Sequence, residues 1–168
     1  MATRKKAYAA AASFVPTLTS LASDGWRALA AQDNTTNGYV DCFVGGSIQL
    51  GVVAANGTVE LFAYGSWDGG SHYTAGLTGA EATITWGTTQ NTRKGSYNDL
   101  LPLGPANALS TDAANVDFVF GPFSIASIFG GNVPDHWGIV VHNNTGIAFH
   151  ATGTNNQIKY TGMTETIA

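Results

Sequence analysis

Four histidines, His72, His136, His142 and His150, carry the widest scope for chemistry in this chain. His142 and His150 flank Asn143-Asn144-Thr145-Gly146, and a hairpin there would bring them together. A zinc site takes about four ligands, or three and a water. No cysteine partner and no His-x-His spacing supplies the remainder, so the histidines read as structural or solvent-exposed. Asp135, His136 and His142 combine on paper with Ser124 or Ser127 into a Ser/His/Asp set. No serine sits in a GxSxG elbow, where backbone strain would project its hydroxyl. In a chain this rich in serine, such a set arises by chance. The carboxylates Asp41, Glu60, Asp68 and Asp117 are spread over predicted strands and turns. A glycosidase pair would meet only in three dimensions, and no local signal favours one. P-loop, dinucleotide and EF-hand patterns are missing. The chain therefore reads as non-enzymatic, with no catalytic residue, cofactor or metal assigned.

Two segments offer binding chemistry instead. Gly65-Ser-Trp-Asp-Gly-Gly70 sets Trp67 beside Asp68 among glycines, with Tyr73 close by. Such a loop can stack on a sugar ring; equally, Trp67 can pack at a sheet edge while Asp68 caps the turn. The second segment is the N-terminus. Arg4, Lys5 and Lys6 are three of the seven basic residues, crowded into the first six positions. The net charge of −4 gives the chain as a whole no electrostatic reason to bind nucleic acid. The basic cluster is either a solvated terminus or an arm that docks on an acidic partner.

The elements that would position these residues are short β-runs. Hydrophobic residues make up 44% of the chain and charged residues only 11%, against about 25% charged in an ordinary domain. So few charges leave little repulsion between copies, which favours an oligomer. At 168 residues the chain fits one domain able to bury a sizeable core. Residues 1–24 read as an arm. Lys5–Val15 is alanine-rich and is expected to be extended or a short helix ended by Pro16. Residues 25–168 read as the β domain. Strands are predicted over Arg27–Ala31, Tyr39–Val44, Ser47–Val53, Thr58–Trp67, Ser71–Ala75, Ala82–Trp86, Val116–Phe120, His136–His142, Ile147–Ala151, Gln157–Thr161 and Met163–Ile167. Gly45-Gly46 permits a tight turn or a bulge, and Phe123–Phe129 is a strand or a short helix. Gly87–Asp99 is a polar loop. Leu100–Leu109, with Pro102 and Pro105, is apolar but not a regular central strand. Turns every 8–12 residues are the spacing of a sandwich or barrel. The expected fold is all-β: an antiparallel, jelly-roll-like sandwich with an N-terminal arm.

Cys42 is the single cysteine, so no internal disulfide can form. It lies in an apolar run, where a buried thiol is the default, and this fits a reducing cytoplasm. The N-terminus mimics a signal peptide, but its alanine-rich middle is a weak apolar region. No apolar stretch approaches the roughly 18–20 residues of a membrane span.

Several segments resemble the small β-sandwich virion proteins of tailed bacteriophages, above all capsid decoration, or cement, proteins. They are Ser20-Leu-Ala-Ser-Asp-Gly-Trp-Arg-Ala-Leu-Ala-Ala31, Leu61–Gly69, Phe120-Gly-Pro-Phe-Ser-Ile-Ala-Ser-Ile-Phe129, His136-Trp-Gly-Ile-Val-Val-His-Asn-Asn-Thr-Gly146 and Ile158-Lys-Tyr-Thr-Gly162. The resemblance spans nearly all of the chain after Thr17. It implies a non-enzymatic structural protein, made in the bacterial host cytoplasm, that binds the outer face of the capsid and bridges neighbouring major capsid proteins. It implies a homo-oligomer, often a trimer, and neither nucleic acid nor membrane as partner. Within that expectation, Arg4, Lys5, Lys6, Tyr8, Phe14 and Val15 are the candidate capsid contacts. Similar sandwiches also occur in tails and fibres, where Trp67, Asp68 and Tyr73 would be candidate glycan contacts.

Overall fold

The computed structural model describes residues 3–14, 16–51, 57–86, 99–108 and 116–167. Its eleven strands are β1 (Arg4–Tyr8), β2 (Ala12–Phe14), β3 (Gly25–Ala28), β4 (Gln32–Asp33), β5 (Asp41–Gln49), β6 (Thr58–Ser66), β7 (Ala82–Ile84), β8 (Leu101–Ala108), β9 (Asp117–Ser124), β10 (His136–Asn144) and β11 (Gln157–Ile167). One helical turn, α1 (Ile125–Ile128), follows β9. All the pairings are antiparallel, and two sheets pack face to face as an all-β sandwich, in agreement with the sequence pattern.

The hydrogen-bonded path runs β1-β11-β5-β9-β8-β6-β10-β3-β7, with β2 also on β11 and β4 on β10. β8 belongs to both layers. Its Leu101–Ala106 part pairs with β6, and Asn107 and Ala108 pair with β9. The expectation that Leu100–Leu109 is irregular is half met. It is a strand, but the register slips opposite Leu61 and Phe62, and Gly104 adopts φ +139°. Among the described residues, only one side of β8 is paired over Leu101–Ala106. That leaves room for the N–H groups that Pro102 and Pro105 lack.

The main core lies between the sheets. Val44 and Ile48 of β5, Phe118 and Phe120 of β9, and Ile158 of β11 meet Val59 and Leu61 of β6 and Trp137, Ile139 and Val141 of β10. Alternate residues of β6 and β10, Tyr64 and Val140, face the other way into a second cluster with Ala28, Ala75, Ile84 and Leu100. β10 is thus buried on both faces. This explains its unbroken apolar run, since a strand covered on one side only would alternate.

The N-terminal segment corrects the helical alternative. β1 and β2 both pair with β11, so Lys5–Val15 takes the extended alternative over its described residues. Alanine's helix preference amounts to tenths of a kcal/mol per residue, and a waiting sheet edge that supplies hydrogen bonds outweighs it. The strands predicted over Tyr39–Val44 and Ser47–Val53 are joined in one, Asp41–Gln49, with Gly45 and Gly46 at a bulge against β9; Val52 and Val53 lie outside the described residues. The last two predicted strands are likewise one. Ser71–Ala75 is instead a bend leading into a 3-10 turn at Thr74–Gly76. Ile147–Ala151 contributes only the bridge from Phe149 to Leu50. Phe123–Phe129 divides: Phe123 and Ser124 end β9, and Ile125–Ile128 form α1. The helix is capped by the Ser124 hydroxyl, which accepts from the Ser127 N–H at 3.0 Å, while the Asp41 carboxylate accepts from the Ser124 hydroxyl at 2.7 Å and the Ala126 N–H at 2.9 Å. Val15 and, Asp99 apart, the Gly87–Asp99 loop lie outside the described residues.

Candidate binding surfaces

Five exposed residues form β1, a strand on the far half of β11. The register places Arg4 opposite Ile167, Lys6 opposite Glu165 and Tyr8 opposite Met163. Side chains of Arg4, Lys6 and Tyr8 therefore share one face of the ribbon, and Lys5 and Ala7 share the other. Tyr8 is 63% exposed and Ile167 76%. The Tyr8 ring reaches Phe43 of β5, with centroids 6.3 Å apart. Arg4, largely open to solvent, lies 3.6 Å from the partly exposed Glu165, a surface pair that contributes at most about 1 kcal/mol. Four of the six predicted arm contacts, Arg4, Lys5, Lys6 and Tyr8, are thus gathered on one projecting ribbon.

Phe14 is not with them. It is buried, with its ring 5.6 Å from that of Trp137 and 5.4 Å from that of Tyr160. Leu18 and Leu21 follow it into the main core. The predicted arm therefore divides: residues 4–8 project, whereas Phe14, Leu18 and Leu21 are part of the sandwich. Phe14 cannot serve as a surface contact, because its ring is needed inside.

The loop after β6 is organised by Asp68. Its carboxylate accepts from the Ser66 hydroxyl at 2.6 Å and from the N–H groups of Ser71 at 3.1 Å and His72 at 2.9 Å. The His72 ring nitrogen Nδ1 lies 2.6 Å away. The Ser66 hydroxyl first, then His72, hold this carboxyl far below the usual range. The turn-capping role foreseen for Asp68 is what the geometry has. Trp67 stands 54% exposed above the loop, edge-on to Phe129. Tyr73 is half-buried, against Tyr64 at 5.7 Å and His136 at 6.4 Å. Burial first, then the charges of Asp68 and Asp33, push its hydroxyl pKa up. A depression of about 420 Å³ runs between Trp67, His72 and Tyr73. All three residues of the glycan alternative therefore meet around one open hollow.

The buried polar chemistry is elsewhere. His142, 7% exposed, presents Nδ1 to Glu60 at 2.8 Å and Nε2 to Asp24 at 3.2 Å. Both nitrogens can donate at once only in the protonated ring. Trp26 stacks on the imidazole, with centroids 3.9 Å apart. This clasp was not foreseen, because Glu60, Asp24 and Trp26 lie far from His142 in the chain. The strand register alone makes Glu60 and Trp26 its direct neighbours. His150 has other partners, accepting from the Thr152 N–H at 2.9 Å. The Ser124 hydroxyl is engaged by Asp41, and His136 lies 3.9 Å from Asp33. No Ser/His/Asp set assembles from these residues. Among the described residues, no group of three His, Cys, Asp or Glu could hold a metal ion, and no helix is long and apolar enough to cross a membrane. Cys42 is fully buried, and burial pushes its thiol up to about 12, with Asp41 adding to the shift.

Compared with family models, with curated proteins and with solved structures, the chain matches none of them.

Proposed function

We propose that this chain is a non-enzymatic structural protein that attaches to a larger assembly through the β1 ribbon. One observation carries the reading. β1 contributes nothing to the core, yet it concentrates Arg4, Lys5 and Lys6 beside the exposed Tyr8 and Ile167. With these three of the seven basic residues on the ribbon, the rest of the chain has four bases against eleven acids. Such segregation suits a protein that presents one basic edge to an acidic neighbour. The non-enzymatic part is supported by the engagement of His142 and Ser124 in structural contacts. The assembly we propose is the capsid of a tailed bacteriophage. The chain would decorate its outer surface, bind the major capsid protein and act as a homo-oligomer, a trimer in the favoured form. That part rests on the resemblance of its motifs.

The experiment is removal of residues 2–8, followed by co-sedimentation with capsids from the parent phage. Loss of capsid-bound protein is expected, with an unchanged far-ultraviolet circular dichroism spectrum. Full occupancy by the shortened protein would overturn the reading.

A second reading is favoured by the exposure of Trp67 over a loop fixed by Asp68. In a tail or fibre component this hollow would bind a sugar ring. Binding to a glycan array that is lost in Trp67→Ala would select it, and no glycan binding would remove it.

A further inference from the structure

The ribbon has an open backbone edge as well as charge. Ala9 donates its N–H to the Gly162 carbonyl at 2.9 Å. The β1–β11 register continues from this pair, so Ala7 with Thr164 and Lys5 with Thr166 are the other hydrogen-bonded pairs. Arg4, Lys6 and Tyr8 are the non-bonded pairs, and their N–H and C=O groups point away from β11. β1 ends the hydrogen-bonded path, and among the described residues no strand pairs with that outer side. The outward backbone groups belong to the residues whose side chains share one face. A second β1 is a poor occupant. Paired antiparallel about its centre, it would set Lys6 against Lys6 and Lys5 against Ala7, with six cations along two short strands. Like charges opposite one another destabilise a strand pair, and lysines on an edge guard it in this way.

We propose that the outer edge of β1 accepts an extended acidic segment of a partner protein as an added strand. It would be held by the backbone groups of Arg4, Lys6 and Tyr8 and matched in charge to Arg4, Lys5 and Lys6. This rests on the attachment reading above and specifies its partner: a preformed edge that receives a strand, not a loose arm that seeks a charged surface. Strand addition takes its affinity from main-chain hydrogen bonds and its selectivity from alternate side chains.

The test uses the full chain, isotope-labelled, and a ten-residue peptide of alternating Glu and Thr, with a Lys-Thr peptide as control. Amide exchange by NMR is the readout. The Glu-Thr peptide should slow exchange at Arg4, Lys6 and Tyr8 and leave Lys5 and Ala7, already bonded to β11, unchanged. The Lys-Thr peptide should protect none. Lys6→Pro removes one outward N–H and no bond to β11, and should weaken binding at least about tenfold. Lys6→Gln keeps the N–H and should weaken it less. Failure of the Glu-Thr peptide to bind, or binding without the alternating protection, overturns the proposal. If alternation fails while removal of residues 2–8 still strips the protein from capsids, strand addition falls and attachment stands. If alternation holds while capsid occupancy survives the removal, attachment falls instead.

Discussion

Phe14 meets the indole of Trp137 edge-on, with ring centroids 5.6 Å apart and planes 80° apart. This contact fixes the N-terminal segment to the centre of the sandwich and marks where the projecting ribbon gives way to the body. Phe14→Ala should lower the free energy of unfolding by about 3–5 kcal/mol in a denaturant titration. Removal of residues 2–8 should cost far less. A Phe14→Ala change within about 0.5 kcal/mol of the parent would place the side chain outside the core.

Gly79 provides a sharper test of the wall behind the Trp67 hollow. It has φ +74°, and a Cβ there would lie 2.5 Å from the Tyr73 ring. Gly38 has φ +59° with nothing within 4 Å of an added Cβ. Both alanine variants carry left-handed strain of roughly 1–2 kcal/mol. Only Gly79→Ala must also displace Tyr73. It should therefore melt at a lower temperature than Gly38→Ala and alter the near-ultraviolet circular dichroism. Equal melting temperatures would mean that Tyr73 moves aside freely.

Cys42 should make the fold sensitive to alkali. Its thiol is raised from 9.0 to about 12, so the folded chain keeps its proton while the unfolded chain releases it. This contribution is complete below about pH 9 and is lost as the pH rises towards 12. Stability measured across that window should fall less steeply in Cys42→Ala than in the parent, and equal slopes would contradict the burial argument. Native protein should be inert to a thiol reagent at neutral pH and react on unfolding.

Asp68 predicts the opposite response, in acid. Its folded carboxyl lies below the usual 3.8, so the bonds that fix the loop are present above that pH and weaken as the pH falls through the lower folded value. Amide protection at Ser71 and His72 should survive mild acid. It should be lost at neutral pH in Asp68→Ala, with the rest of the sandwich unaffected. Protection that persists in the variant would move the organising role to Ser66.

The strand pattern made the fold class legible, because period-two runs between turn residues have few other solutions. Val116, Phe118 and Phe120 alternate along the predicted strand Val116–Phe120 and are buried together in the core. Glycine was the least readable signal. Gly45-Gly46 left a turn and a bulge open, and the bulge is what forms within β5. Gly162 fell between two predicted strands, yet lies within the single strand β11. Gly162 is there because the Tyr39 ring occupies the place of its missing side chain. No local rule announces such a contact.

The sites followed the same division. The basic cluster at Arg4–Lys6 and the Trp67-Asp68 turn are local in the chain and could be read directly. Burial of Phe14 needed knowledge that β2 pairs with β11. The clasp around His142 needed the register of β10 against both β3 and β6. Contacts set by register between distant strands are invisible to composition and spacing.

β8 works as the spine of a half-open book. Its first residues are stitched to one cover through β6 and its last two to the other through β9. The covers cannot be parted along that side without tearing backbone hydrogen bonds, whereas between β11 and β4 they are tied by a side-chain bond, the Tyr160 hydroxyl donating to Gln32 Oε1 at 3.0 Å. A load that pries the layers apart should therefore act as a hinge motion about Leu101–Ala108. The free margin carrying β1 would travel furthest, so a partner bound there would feel the opening first.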